Sequence, residues 1–111
     1  MEHNKACLDY FDRHVKPRLA GCSFEYAQFT DGQFGDLDRI EILSDAMVAG
    51  VDIWTLGWLG IDVFDIRADE PVMTLLWSPD ETIDLPACFS RLINAFCTPA
   101  DPSAPELPAL S

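Results

Sequence analysis

This chain of 111 residues is poor in positive charge. Seven lysines and arginines stand against nineteen aspartates and glutamates, which gives a formal net charge of −12. Beyond residue 20 the only basic side chains are Arg39, Arg67 and Arg91. A field of this sign repels phosphate groups and anionic lipid, so the sequence predicts neither nucleic-acid nor membrane binding. It attracts a basic partner and speeds the encounter with one, although acidity by itself more often only favours solubility.

Catalytic signatures are also lacking. His3 and His14 are the only histidines, and both lie near the start, away from any candidate serine or cysteine nucleophile. Acids such as Asp36/Asp38 occur at predicted turns, where aspartate is common for backbone reasons. There is no phosphate-binding glycine loop, no GxSxG motif and no EF-hand spacing. The sequence therefore predicts a protein that is not an enzyme and needs no cofactor.

The cysteines do not form the close pairs typical of a zinc site. None of the four lies in a CxxC motif, and no histidine accompanies a pair. They are Cys7, Cys22, Cys88 and Cys97. No run of eighteen apolar residues is present, and the start "MEHNKACLDYF" lacks the basic and apolar regions of a signal peptide. These observations predict reduced thiols, no metal and a cytoplasmic location.

Hydrophobic periodicity predicts a helix, five strands and a second helix. The predicted elements are a helix over 3–16, strands over 22–29, 37–44, 51–56, 60–67 and 72–77, and a helix over 85–97. Short connections favour an antiparallel meander, and two amphipathic helices cover one face of such a sheet. The prediction is a single two-layer α+β domain over 1–97, with one sheet face open to solvent. The proline-rich stretch 98–111 is predicted to be a disordered tail.

The stretch "VDIWTLGWLGIDVFDI" at 51–66 carries acids among large apolar residues. A three-residue loop at 57–59 would pair Trp54 with Asp62 and Asp52 with Phe64, which separates acidic from apolar side chains better than a four-residue loop. Aromatic side chains flanked by carboxylates suit a basic partner. The alternative is that the N-terminal helix or a second subunit covers this face, with Trp54 in a core. The predicted partner-binding residues are Asp52, Trp54, Trp58, Asp62, Phe64 and Asp65.

The hairpin "GVDIWTLGWLGIDVFDI", the strand "VMTLLWSPDE" and the short helix after them resemble small immunity proteins of bacterial polymorphic toxin systems. The resemblance covers 36–97 and concerns size, acidity and the strand–hairpin–helix plan. It implies a small cytoplasmic protein that neutralises one cognate toxin domain by stoichiometric binding. Many such toxins are basic nucleases. No individual residue is assigned a role from this resemblance, because the class shares no binding motif. A function inferred from resemblance alone is an association and not a physical argument.

Two other functions stay open from the sequence. Secretion chaperones of the type III kind are also small, acidic α+β proteins, and they dimerise to hold an effector segment. Their usual plan places a helix between strands, and none is predicted here. A small enzyme or ligand-binding domain is the second alternative, and it requires a closed polar pocket. The oligomeric state, monomer or homodimer, is not predicted.

Overall fold

The computed structural model describes residues 2–97, so the predicted tail at 98–111 lies outside the described residues. The chain begins with helix α1, Glu2–Tyr10, which continues through a π-helical turn, Phe11–Val15, and a 3-10 turn, Lys16–Arg18. Pro17 lies in the first turn of that 3-10 segment, and Gly21 adopts a left-handed φ of 86° that redirects the chain into the sheet. Leu85–Cys97 forms the second helix, α2.

Five strands lie between the two helices. They are β1 Ser23–Gly32, β2 Gly35–Leu43, β3 Met47–Trp54, β4 Leu59–Asp65 and β5 Glu70–Trp77. The spatial order follows the chain order, and every neighbouring pair is antiparallel. The predicted α+β meander is therefore confirmed, with β1 and β5 as the edge strands.

Both helices pack on the same face of the sheet and form the core with it. Along β3 the burial alternates strictly, because successive side chains of a strand point to opposite faces. Phe11 of the π-helical turn stacks edge to face with Phe89 of α2, their ring centroids 6.0 Å apart. The largest side chains that are fully buried are Phe11, Phe89, Ile40, Ile42, Ile53, Leu59, Ile61 and Leu92. The opposite face of the sheet carries no helix of residues 2–97 and is called the open face below.

Local capping fixes where α2 begins. Asp84 accepts a hydrogen bond from the backbone N–H of Ala87 at 3.3 Å, which is the arrangement of an N-cap carboxylate. Pro86 falls in the first turn, where no intrahelical donor is lost. Ser78 and Glu81 form a separate turn, in which the Glu81 carboxylate accepts the Ser78 N–H at 2.9 Å. The predicted start of the second helix at residue 85 is confirmed.

The predicted register of the β3–β4 hairpin is wrong. The loop is 55–57 rather than 57–59, and it is closed by the N–H of Trp54 donating to the carbonyl of Trp58 at 3.1 Å. Gly57 has a φ of 105°, which a glycine adopts at little steric cost, so it ends the loop instead of starting it. Asp52 consequently lies opposite Gly60, not Phe64. The interval 45–50, predicted as a connection, contains the start of β3 at Met47.

The change of register does not alter which residues share a face. The observed pairing differs from the predicted one by an even number of residues, and only an odd slip exchanges the two faces of a strand. Val51 and Ile61, which oppose each other in the observed register, both lie in the core. The predicted grouping of Asp52, Trp54 and Asp62 on the open face is retained.

Candidate functional site

The open face is organised in rows that cross the strands, because the register of each hairpin aligns residues from neighbouring strands. The central row, called the acidic row below, contains Glu25 of β1, Glu41 of β2 and Asp62 of β4. Gly50 of β3 separates Glu41 from Asp62 within this row. All three carboxylates are on exposed residues.

Glu25 and Glu41 lie directly opposite each other in the β1–β2 pair. Directly opposed residues have Cβ atoms about 5 Å apart, and like charges at that separation are destabilising. Neither side chain makes a hydrogen bond or ion pair within residues 2–97. The fold thus keeps an unfavourable pair in a solvent-exposed position.

Asp62 continues the row of carboxylates on the far side of Gly50. Its carboxylate lies over Gly50, so close that a Cβ on that glycine would be 3.4 Å from Asp62 Oδ1. Partial burial raises the pKa of the Asp62 carboxyl, and the neighbouring Asp52 carboxylate adds to this effect, while Arg39 opposes it. Within the described chain no donor satisfies Asp62. Ionisation of Asp62 is therefore less favourable in the folded protein than for an ordinary aspartate.

Asp52, in contrast, is committed to an internal ion pair. Arg39 donates to it through two nitrogens, Nε to Oδ1 at 2.6 Å and Nη2 to Oδ2 at 3.1 Å. The Asp52 side chain is only 13% exposed, and hydrogen bonding to Asp52 raises the pKa of Arg39. The guanidinium carbon also lies 5.7 Å from the ring centroid of Phe29. Arg39 is the only lysine or arginine in strands β1 to β5, and its guanidinium forms its salt bridge with Asp52.

Apolar side chains lie on both sides of the band formed by the acidic row and the Arg39–Asp52 ion pair. On one side lie Leu43, Val48 and Phe64, which the register aligns across β2, β3 and β4. Leu43 is 50% exposed. Together with Ser23, Glu25 and Glu41, residues Leu43 and Val48 line a shallow groove of about 250 Å³. This arrangement of apolar surface beside unpaired carboxylates is the main feature of the open face.

Trp54 is the main apolar side chain on the opposite side of this band. It lies beyond the ion pair, opposite Leu37 of β2. Its ring covers Gly60, where a Cβ would come within 3.3 Å of Trp54 Cζ3. Phe34 packs edge to face against Trp54, with ring centroids 5.4 Å apart. The half-buried Trp54 is therefore part of the open face, not of the core beneath the helices.

The remaining predicted residues occupy different positions. Trp58 lies beyond the loop and stacks on Phe34 with ring centroids 4.2 Å apart. Asp65 lies opposite the buried Met47, on the helix-covered side, and its carboxylate accepts the N–H of Ala68 at 3.0 Å. The structure brings Asp52, Trp54, Asp62 and Phe64 onto one face and leaves Asp65 as a turn-capping acid.

Sequence reasoning missed Glu25 and Glu41. Each belongs to an alternating strand pattern, where a charged residue on the solvent side is unremarkable. Their alignment with Asp62 depends on the register of three successive hairpins. A charge count along the solvent-facing positions of β1 and β2 identifies both acids, but the register is needed to show that they face each other.

A membrane-spanning helix and a metal-binding cluster are both absent from the described residues. No helix within residues 2–97 is long and apolar enough to cross a membrane. Nor does that part of the chain bring three His, Cys, Asp or Glu side chains together as a metal site requires. Comparison of the chain with protein-family models, curated proteins and solved structures finds no match, so its function has to be argued from its own geometry.

Proposed function

We propose that this protein acts by stoichiometric binding of a basic protein domain, which docks on the open face of the sheet. One observation carries the proposal: the acidic row of Glu25, Glu41 and Asp62 forms no ion pair or hydrogen bond within residues 2–97, and a row of apolar side chains lies beside it. Interfaces combine an apolar centre with charged groups that match those of the partner. Lysine or arginine side chains would convert the repulsion within the row into attraction.

A second copy of this chain is a poor occupant for the open face. A two-fold symmetric contact places the same patch against itself. Acidic rows would then face each other, and like charges brought together at an interface cost several kcal/mol. The net charge of −12 adds long-range repulsion between copies. The face is therefore better matched to a partner of opposite charge.

The biological role that we propose is that of an immunity protein, which neutralises a basic toxin domain such as a nuclease. Support comes from the small acidic chain and from a preformed face that needs no helix to move before it binds. The alternative of a type III secretion chaperone receives less support, because β1 to β5 follow one another without an intervening helix. Four clefts formed by described residues are open to solvent, so none of these four is the closed polar pocket that would favour an enzyme.

The test begins with the genes adjacent to this protein's gene, among which the immunity role predicts one that encodes a toxin domain. Co-expression of the two proteins should restore growth that the toxin domain alone arrests. Affinity is then measured by calorimetry for the parent and for the triple variant Glu25→Gln, Glu41→Gln, Asp62→Asn. The variant removes three carboxylates. If only two of them form charge-assisted hydrogen bonds with the partner, the loss is at least about 3 kcal/mol, so we expect a loss of affinity of a hundredfold or more.

The matched control removes the same number of charges elsewhere. Asp9, Asp45 and Asp80 are exposed and lie on α1 and in turns. The variant Asp9→Asn, Asp45→Asn, Asp80→Asn should lose less than about tenfold, mainly through the association rate. Equal losses in the two triple variants would show that only net charge matters and that the open face is not the docking surface. Absence of growth rescue would reject the immunity role.

A further inference from the structure

The outer edge of β5 has backbone groups that the sheet does not use. β5 pairs with β4 on one side and is the last strand of the sheet. Within residues 2–97 its backbone makes no backbone hydrogen bond besides those of that pairing. In an edge strand every second residue points its N–H and C=O away from the sheet. Such a row of unpaired groups is a template on which another strand can form.

Features that block strand addition occur only at the start of β5. Glu70 and Pro71 lie there, and the register of β4 with β5 shifts at the same point. Charges, prolines and bulges are the usual means by which an edge strand avoids pairing. The six residues that follow, "VMTLLW" at 72–77, include no charge and no proline. The other edge strand, β1, carries Glu25 and a register shift near its end, so β5 is the less protected edge.

On the open face, apolar side chains and one carboxylate lie beside the β5 edge. Val72 is 45% exposed and Leu76 is 51% exposed. Thr74, also exposed, lies directly opposite Asp62, so the acidic row ends one strand short of the edge. A strand added to β5 would place one residue beside Thr74, in line with the acidic row. The residue two positions away along that strand would lie beside Leu76.

We propose that the outer edge of β5 accepts an extended segment of the basic partner as a sixth strand. Backbone hydrogen bonds to 72–77 hold the segment, as in other cases of strand addition. A lysine or arginine beside Thr74 reaches Asp62 past the short threonine side chain, and an apolar residue two positions away contacts Leu76. The basic character of the segment rests on the proposed function, since both use Asp62.

Two other occupants match this edge less well. The segment 98–111 of this chain has prolines at 99, 102, 105 and 108, which leave at most two successive residues with an N–H between them. A proline cannot donate to a ladder, so this sequence is unsuited to a sixth strand. A second copy would bring its own Asp62 and a further net charge of −12 toward the same edge.

The first test uses the whole chain, labelled with ¹⁵N, and the synthetic peptide acetyl-TVTKTVT-amide. The peptide should shift the backbone amide signals of 72–77 saturably. It should also slow hydrogen exchange at alternate residues of that segment, because only every second N–H points outward. Absence of saturable shifts in 72–77 overturns the proposal. Protection of the same amides that grows with protein concentration, without peptide, assigns the edge to a second copy and also overturns it.

Backbone pairing is tested with two methylated forms of the peptide. One carries N-methyl groups on its first, third and fifth residues, and the other on its second, fourth and sixth. Each form removes the N–H donors from one side of the extended peptide and keeps every side chain. One form should bind at least about tenfold more weakly than the other, because only one side of the peptide faces β5. Equal binding of the two forms overturns the proposal.

A charged variant tests the contact with Asp62. Thr74→Lys supplies a cation beside Asp62 from within the chain, so it should weaken binding of the peptide at least about tenfold, the ratio for one charge-assisted hydrogen bond. Thr82→Lys makes the same change at an exposed position between β5 and α2 and should change binding less than about threefold. Equal losses in the two variants overturn the proposal.

The peptide experiments and the test of the proposed function can fail separately. The peptide experiments use neither a toxin domain nor growth rescue. If the peptide does not bind while the acidic-row triple variant still loses affinity for the toxin domain, the β5 inference is overturned and the proposed function stands. If the peptide binds as expected and growth is not rescued, the immunity role is rejected and the strand-addition site stands.

Discussion

Asp62 is the residue at which folding and the proposed binding oppose each other. Its raised pKa means that the folded state binds a proton at Asp62 more tightly than the unfolded state does. The contribution of Asp62 to the free energy of unfolding therefore falls as pH rises through the interval between its unfolded and folded pKa values. At neutral pH the full penalty is present. A partner cation that neutralised Asp62 would remove this penalty.

We expect Asp62→Asn to stabilise the isolated protein at neutral pH by up to about 0.5 kcal/mol, a modest effect because the residue is exposed. The gain should shrink as pH falls through the raised pKa and vanish below 3.8, the ordinary pKa of an aspartate, because Asp62 is then mostly protonated in both states. Urea denaturation at neutral and acidic pH measures the difference. Asp9→Asn, an exposed change of equal charge, is the control. A gain in stability that is the same at both pH values would show that the gain does not come from removing the Asp62 charge.

The cysteines should differ widely in reactivity. Burial, with a smaller contribution from Cys88, raises the pKa of Cys7 to about 11, so almost none of its thiol is ionised at neutral pH. Only the thiolate reacts with an alkylating reagent. Cys97 is exposed. Iodoacetamide at neutral pH should modify Cys97 first and leave Cys7 unmodified until the protein unfolds, which peptide mass spectrometry can resolve. Rapid modification of Cys7 in the native protein would show that α1 opens readily.

At the scale of elements, the N-cap of α2 offers a clear test of local stability. Asp84→Ala removes the carboxylate that accepts the Ala87 N–H, and the loss of an N-cap costs about 1 kcal/mol. In a domain of this size that corresponds to a fall of about 4–8 °C in Tm. Asp80→Ala, in the preceding turn, should change Tm by less than about 2 °C, as surface substitutions do. Equal shifts in calorimetry would mean that α2 does not depend on this cap.

The elements themselves were predictable because their signals are local. The apolar spacing of Cys7, Phe11 and Val15 and the cap at Asp84 are each contained in a few neighbouring residues. The start of β3 at Met47 was missed because "DAMVAG" contains small residues typical of a connection. The hairpin loop was misplaced because Gly57 and Gly60 are both plausible turn residues, and only the backbone conformation shows that Gly57 takes the positive φ.

The candidate site was only partly predictable, since it depends on contacts that are distant in the sequence. Alternation within one hairpin sufficed to group Asp52, Trp54 and Asp62. Predicting the ion pair between Asp52 and Arg39 requires the register of β2 with β3. Predicting that Glu25 faces Glu41 requires the register of β1 with β2. Neither register is encoded within the stretch that carries Asp62.

At the scale of the whole molecule, the charge distribution predicts a monomer in the absence of a partner. Sedimentation velocity at protein concentrations up to about 100 µM should give the mass of one chain, 12.4 kDa, because acidic surfaces repel each other. Added salt screens this repulsion, so the experiment is repeated at about 0.5 M salt, where the Debye length is about 4 Å. A stable dimer at low salt would favour the chaperone alternative, whose class requires one.

The spacing of the acidic row also constrains the sequence of a partner. Adjacent strands are about 4.8 Å apart, so Glu25 and Glu41 are one spacing apart, and Glu41 and Asp62 are two. A helix rises about 1.5 Å per residue. A partner helix lying across the strands would place basic residues opposite the three carboxylates if they stand at positions i, i+3 and about i+10. These positions lie on one side of the helix. That periodicity can be sought in the sequence of any candidate partner before a complex is made.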